Sequence, residues 1–188
     1  MSEILKENGR FWERCFANSD FDFKLPPRKR VLEVIRRLQK YQAYKVLDLG
    51  CGFGRWSIAL AQAGFQVKAV DISSEAIKWL KKWGNQEVLS IETKVSSAQK
   101  HASIGEKVDA VICNSVLDHI PFAEKLKAIR NIKKILKPSG VAHISFDGLE
   151  KEDKKEGLKW VSLLAYGHEF VCDSYGVCTG FAVSVCAD

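Results

Sequence analysis

Several features are missing from this sequence of 188 residues, and each absence removes a class of protein. No C-x-x-C pair occurs among the six cysteines, Cys15, Cys51, Cys113, Cys172, Cys178 and Cys186. The last three lie near His168, but their spacing matches no zinc pattern. No metal is expected, and the cysteines read as small buried hydrophobes. No apolar run approaches the roughly 20 residues that span a bilayer. The opening MSEILKENGRFWERCF lacks the apolar stretch of a secretory signal, so the expectation is a cytoplasmic chain away from membranes. No repeat, low-complexity tract or Gly/Ser linker divides the sequence. It reads as a single domain over 1–188, long enough to bury a substantial core.

What is present is the composition of a soluble globular protein, 46% hydrophobic and 28% charged, with a formal charge of +6. Much of that excess sits in two runs. Arg28, Lys29, Arg30, Arg36, Arg37 and Lys40 form the first. Lys125, Lys127, Arg130, Lys133, Lys134 and Lys137 form the second. Such runs are either solvated helix faces or contacts for RNA or another polyanion. Their interleaving with apolar positions at helical spacing favours the solvated face.

Pro26 and Pro27 are expected to open a helix whose apolar positions Val31, Leu32, Val34, Ile35 and Leu38 follow a 3.6 period. Strand and helix then alternate. KVLDL has strand length, and RWSIALAQAG has helical spacing closed by Gly64. QVKAVD is a second strand, and SSEAIKWLKKWG a second helix capped by Ser73 or Ser74. EVLSIETKV and VDAVICN supply two more strands, the latter apolar on both faces like a central parallel strand. A helix over 121–136 stops at Lys137-Pro138-Ser139-Gly140, and VAHISF is the fifth strand. A further helix is expected within 150–165, and HEFVCD, SYG and VCTGFAVSVC read as a hairpin. The alternation predicts an α/β fold, doubly wound, with helices on both faces of a mostly parallel sheet. Three parts follow: an N-terminal segment over 1–25, a core over 26–147, and a helix plus compact C-terminal hairpin over 148–188. Ligands on such sheets bind beyond the carboxyl ends of the strands. That rim carries Asp48 to Gly54, Asp71, and Asn114 to Ile120.

The first strand runs into Gly50-Cys51-Gly52-Phe53-Gly54. A dinucleotide fingerprint, G-x-G-x-x-G, needs a glycine where Arg55 stands, which disfavours an NAD site. No G-K-[ST] follows, so a Walker loop is excluded. Asp48, just ahead of the turn, would repel a pyrophosphate and attract an ammonium or sulfonium. Asp71 ends the second strand, where an acid can accept two hydrogen bonds from ribose hydroxyls. A ligand with a ribose, no phosphate and a positive charge is implied, and S-adenosylmethionine fits. The plainer reading makes the glycines turn formers, Asp71 a helix-capping acid and Ile72 core.

D-L-G-C-G-F-G-R, with Asp71 at the next strand end, resembles the class I (Rossmann-like) S-adenosylmethionine-dependent methyltransferases. K-V-D-A-V-I-C-N-S-V-L-D-H-I-P and N-I-K-K-I-L-K-P-S-G-V-A-H-I-S-F are similar to later motifs of that family, in the same order. The resemblance covers about residues 30 to 147. It implies a seven-stranded sheet ordered 3-2-1-4-5-7-6, with the tail hairpin supplying the last two strands. It also implies that Gly50, Cys51, Gly52 and Gly54 let the backbone approach the cofactor's methionine and ribose. Asp48 would lie near the cofactor's amino end, Asp71 would hold the ribose, and Ile72 would pack on the adenine. Asn114 and Ser115 would border the methionyl group. One position departs from the family pattern: Ser96 or Ser97 stands where an acid commonly accepts from the adenine amino group, and a hydroxyl accepts more weakly.

Methyl transfer is an in-line displacement, so alignment and exclusion of water matter most, and a base is needed only where the acceptor must lose a proton. His119 is the candidate base, with Asp118 orienting or replacing it; the alternative is that His119 packs or caps the following helix. Arg55 would steady a carboxylate of cofactor or substrate, or lie on the surface. Phe11, Trp12 and Phe16 would form a lid or an aromatic staple. His101 and His143 carry no readable role. The favoured acceptor is a small molecule. Methylation of RNA such as tRNA, and a non-catalytic cofactor-binding subunit needing a partner, are the alternatives.

Overall fold

The structure is a computed structural model that describes residues 3–20, 29–101, 106–145, 169–172 and 178–183. Helices α1 (Glu3–Ala17) and α2 (Lys29–Lys40) come first. The alternating core then runs β1 (Lys45–Leu49), α3 (Arg55–Gln62), β2 (Gln66–Asp71), α4 (Ser74–Gln86) and β3 (Glu92–Val95). After a single turn, α5 (Ala98–His101), come β4 (Val108–Asn114), a 3-10 turn (Leu117–His119), α6 (Phe122–Ile135) and β5 (Leu136–Ser145). Strands β1 to β5 form a parallel sheet ordered β3-β2-β1-β4-β5. The order reverses at β1, and the loops after β1 and β4 diverge there. This is the switch point at which α/β sheets bind ligands.

Alternation along the strands explains why both faces are covered. On β1, Val46 joins the cluster under α2 and α3, while Leu47 and Leu49 join the cluster under α6. On β4, Ala110 and Ile112 face the first cluster, and Val111 and Cys113 the second. Helix α2 buries Val31, Val34, Ile35 and Leu38 at helical spacing; Leu32, expected with them, is on the solvent side at 40% exposure. Gly64 ends α3 as anticipated, at φ 88°. The N–H groups of Gly64 and Phe65 donate to the carbonyls of Ala61 and Leu60, a Schellman closure, and Phe65 packs in the same cluster as Leu60.

The third strand is shorter than expected. EVLSIETKV contributes only Glu92–Val95, because α4 runs two residues past Gly84 and closes on a second Schellman turn. There Val88 and Leu89 N–H donate to Asn85 and Gly84 carbonyls, and Val88 takes φ 55°. Ser73 is the cap of α4, its Oγ accepting from Ala76 N–H at 3.1 Å. The expected start of α2 at Pro26 and Pro27 and the expected helix within 150–165 lie outside the described residues. The two tail segments β6 (Glu169–Cys172) and β7 (Cys178–Val183) are extended, where the hairpin was expected. Among the described residues no helix is long and apolar enough to cross a membrane. No cluster of metal-ligating side chains occurs among them either.

Candidate functional site

The turn after β1 is built from backbone. Gly50, Gly52 and Gly54 all have positive φ, at 78°, 52° and 92°. At two of them a side chain is excluded by space as well. A Cβ on Gly50 would lie 2.3 Å from Val116 Cγ2, and one on Gly54 would lie 2.2 Å from Leu80 Cδ1. The N–H groups of Gly50 and Cys51 both donate to the Val70 carbonyl, at 2.7 and 3.0 Å, which ties the turn to the end of β2. Helix α3 starts directly from it. Its cap residue Gly54 offers no side chain to the first N–H groups, so that end of the helix is an electropositive rim.

Two buried acids support the turn. Asp71 accepts from Gly52 N–H and Ser73 N–H, each at 2.9 Å and one on each oxygen. Ile72 N–H is a third donor to the carboxylate, which leaves part of its acceptor capacity open. Burial holds the Asp71 carboxyl above its ordinary value, against the hydrogen bonds from Ser73, Gly52 and Ile72 N–H. Asp48 lies deeper, 1% exposed, and accepts from Ser57 Oγ at 2.6 Å. Burial lifts its carboxyl to about 7; the Ser57 hydrogen bond opposes this and the Asp71 charge adds to it. A cation brought close would favour the ionised form.

A cavity of about 750 Å³ opens above these groups. Gly50, Cys51, Gly52, Asp71 and Ile72 line one side. Ser96, Ser97, Asn114 and Ser115 line the adjoining wall, and Arg55 and His119 also border it. Asp48, Gly54 and Asp118 are not lining residues: Asp48 lies buried against Ser57, Gly54 is pressed against Leu80, and Asp118 stands in the 3-10 turn. Ser115, at φ 51°, is held by two bonds from its N–H to Ser145, one to Oγ and one to the carbonyl, each 3.1 Å. Ser145 Oγ donates in turn to Asn114 Oδ1 at 2.7 Å. A non-glycine residue in the left-handed region at a strand end is strained, and its neighbours fix it there.

Helix α1 closes the cavity from above. Trp12 and Phe16 line it, and the Trp12 ring meets the His119 imidazole edge-on, centroids 4.9 Å apart. Phe16 and Phe53 form a second such pair at 4.8 Å. Polar ties hold the helix: Asn8 Nδ2 donates to the His119 carbonyl, and Trp79 Nε1 to the Phe16 carbonyl at 2.9 Å. Glu13 accepts from the hydroxyls of Ser73 and Ser74 and from Glu75 N–H, and so caps α4 from another helix. Burial pushes the Glu13 carboxyl up, but these hydrogen bonds outweigh it and hold the group below its ordinary value. Asn8, Glu13 and Phe53 were not singled out in the sequence. Each acts on a partner distant along the chain, so no local spacing signals it. Lys29, Arg30 and Trp56, at the starts of α2 and α3, also reach the cavity, and only packing reveals this.

His143, on β5, is 1% exposed and packs on Trp56 with ring centroids 5.1 Å apart. Burial, with the Arg30 and Arg37 charges, pushes its imidazole down to about 4. Cys15, Cys51 and Cys113 are free thiols. Burial raises Cys51 and Cys113, which opposes thiolate chemistry at either.

Comparison with known proteins agrees with this geometry. A family model described as a methyltransferase domain matches residues 46–140. Over 106 residues the chain is 35% identical to the ubiquinone biosynthesis O-methyltransferase of Actinobacillus pleuropneumoniae serotype 5b (strain L20). That match takes in 54% of this chain and 44% of the relative, so the chain spans less than half the relative's length. Three solved structures share the fold. Magnesium protoporphyrin IX methyltransferase from Synechocystis PCC 6803 with bound SAM has a TM-score of 0.67 at 19% identity, covering 96% of both chains. N-methyltransferase NodS from Bradyrhizobium japonicum WM9, in complex with S-adenosylhomocysteine, has 0.69 at 18%, covering 94% of this chain and 98% of that one. A putative rRNA methylase from Clostridium thermocellum has 0.69 at 15%, covering 87% and 100%. At these identities the structural likeness concerns the fold, while the family model covers half the chain, including the glycine turn, Asp71 and the β4 rim. The chain belongs to the methyltransferase domain family.

Proposed function

We propose that this chain moves a methyl group from S-adenosylmethionine to a small-molecule acceptor by in-line displacement. The observation that carries the reading is one cavity joining the glycine turn, Asp71 and the β4 rim to His119. The bound cofactor supplies an electrophilic methyl on a sulfonium. Gly50, Cys51 and Gly52 offer backbone to its methionine and ribose; Gly54 keeps the turn tight. Asp71 keeps free acceptor sites toward ribose hydroxyls, and Ile72 offers an apolar surface for a base. Ser96 and Ser97 would offer hydroxyls to that base, and Asn114 and Ser115, on the same cavity wall, would border the methionine. Arg55, at the start of α3, takes a carboxylate. Asp48 acts from beneath the turn, where its ionisation is coupled to a cation above it.

His119 borders the cavity, which supports its reading as the base that takes a proton from an acceptor hydroxyl or amine. Asp118 is outside the cavity wall, which supports an orienting role. Trp12 and Phe16 exclude water over the reacting centre, the main demand of a displacement whose leaving group departs neutral. The same reading extends the sheet by β7 and β6 to the order 3-2-1-4-5-7-6, and treats 1–188 as one cytoplasmic methyltransferase domain. Helices α2 and α6 cover opposite faces of the sheet, so the two basic runs do not merge into one RNA-binding stripe. That supports the small-molecule acceptor over tRNA.

Calorimetry separates these. S-adenosylhomocysteine is expected to bind and NADH not; the reverse order defeats the cofactor assignment. Labelled cofactor incubated with a metabolite extract and the pure chain is expected to yield a labelled small product. No product without an added partner favours the subunit reading, and salt-sensitive labelling of tRNA favours RNA.

A further inference from the structure

We infer that the base end of the cavity does not select an amino group: Ser96 and Ser97 take a 6-oxopurine cofactor about as well as a 6-aminopurine one. This rests on the S-adenosylmethionine reading of the same cavity and concerns its nucleobase alone.

Strand order locates that end. Strand β1 pairs with β2 and β4, and β3 lies outside β2. A ligand with its ribose at Asp71, the end of β2, and its methionine toward Gly50 and Asn114 carries its base toward the end of β3. From that strand end the cavity takes Ser96, Ser97 and Ala98, none of them charged. The sequence from Lys94 to Gly105 contains no acid, so this loop supplies no carboxylate. Ser96 N–H donates to the Asp71 carbonyl at 2.7 Å, which ties the loop to the ribose position and removes that amide from base readout. The Ser97 carbonyl accepts from Lys100 N–H at 3.1 Å and from Ser96 Oγ at 3.5 Å. The second contact is well beyond the roughly 2.7–2.8 Å usual between a hydroxyl and an oxygen, so a ligand displaces it readily. Ser97 is itself buried in the wall. Two neighbouring hydroxyls are therefore what this loop offers to a base.

The two purines present opposite patterns along one edge. A 6-aminopurine donates at position 6 and accepts at N1, whereas a 6-oxopurine accepts at position 6 and donates at N1. An ionised carboxylate only accepts, and so matches the amino group alone. A hydroxyl rotates to donate or to accept, and two of them match either pattern from the same oxygen positions. Rejection of an analogue is steep where a buried group of fixed polarity is left unpaired, and neither hydroxyl has a fixed polarity. Ile72, an apolar surface in the same cavity, does not distinguish two rings of nearly equal shape.

Calorimetry on the full chain at about pH 8, where an introduced carboxyl is ionised, compares S-adenosylhomocysteine with S-inosylhomocysteine. Their dissociation constants are expected to agree within about fivefold. Ser96→Asp and Ser97→Asp each place an acceptor-only group at this edge, and at least one is expected to prefer the adenine ligand by about tenfold or more. Ser97→Ala serves if the acidic variants fail to fold, and is expected to weaken both ligands by a similar factor, about threefold. A wild-type preference for S-adenosylhomocysteine larger than fivefold overturns the inference in favour of readout by backbone N–H groups. A ratio that neither acidic variant changes overturns it too, as does a Ser97→Ala variant that weakens one ligand only. Failure of S-adenosylhomocysteine itself to bind the wild-type chain defeats the cofactor reading instead.

Discussion

Asp71→Ala is the sharpest perturbation available, because one carboxylate both braces the glycine turn and faces the cavity. Its removal deprives Gly52 and Ser73 N–H of their acceptor, two bonds of 2.9 Å. Hydrogen bonds to charged groups contribute about 1.5–3 kcal/mol each, but the side chain is 6% exposed and its own desolvation is relieved. A net destabilisation of about 2 kcal/mol is expected, read as a shift in urea midpoint. Losing the ribose hydroxyls as partners costs a further 1.5–3 kcal/mol of binding, roughly a 10- to 150-fold weaker S-adenosylhomocysteine. Calorimetry with the 2′,3′-dideoxy analogue separates the direct effect from a collapsed turn. The wild type is expected to discriminate between the two ligands, and the variant to bind them equally. A variant that still prefers the natural ribose by the wild-type factor refutes the assignment, as does unchanged affinity.

Val88 is 92% exposed and held at φ 55°, where a β-branched residue pays about 1–2 kcal/mol. Val88→Asn is therefore expected to stabilise by about 1 kcal/mol, or about 2–4 °C in Tm by calorimetric scan. The buried His143 imidazole lies at about 4 against an ordinary 6.5, so its contribution is complete above pH 6.5 and is lost as pH falls toward 4. That loss is about 3 kcal/mol. Asp48, raised to about 7 from 3.8, has the opposite sign: its contribution is present below 3.8 and is lost as pH rises through 7. Urea midpoints from pH 4 to 8 should show His143→Leu losing the acid limb and Asp48→Asn the alkaline one. Glu13→Gln weakens the cap that α1 places on α4, by about 1 kcal/mol. Faster amide exchange confined to α1 and the first turn of α4 is the expected signature; uniform exchange would deny the tie.

The alternating core was legible because its signals are local. Strands buried on both faces read as short apolar runs such as VDAVICN, and Gly64 and Ser73 mark helix ends through conformations and bonds made within a few residues. The glycine turn and Asp71 were legible as well, since backbone approach demands glycine and a strand end demands an exposed rim. The end of α4 was not. A Schellman turn there normally advertises itself through glycine, and Val88 fills that place without the usual residue. Asp48 was read as a group near the ligand, whereas its partner Ser57 and its full burial emerge only when α3 folds back over β1.

The sequence by itself therefore determined the order of the core elements, the family and the residues of the glycine-turn rim, all of which depend on period, turn chemistry and one short motif. Tertiary structure alone decided what faces that rim. Glu13 reaches Ser73, Trp12 meets His119, and Lys29 and Arg30 join Arg55 at one cavity, over separations that no periodicity encodes. The physical reason is that helix packing is set by the summed burial of whole faces, so which individual polar groups meet across them depends on the folded geometry rather than on neighbours in the chain.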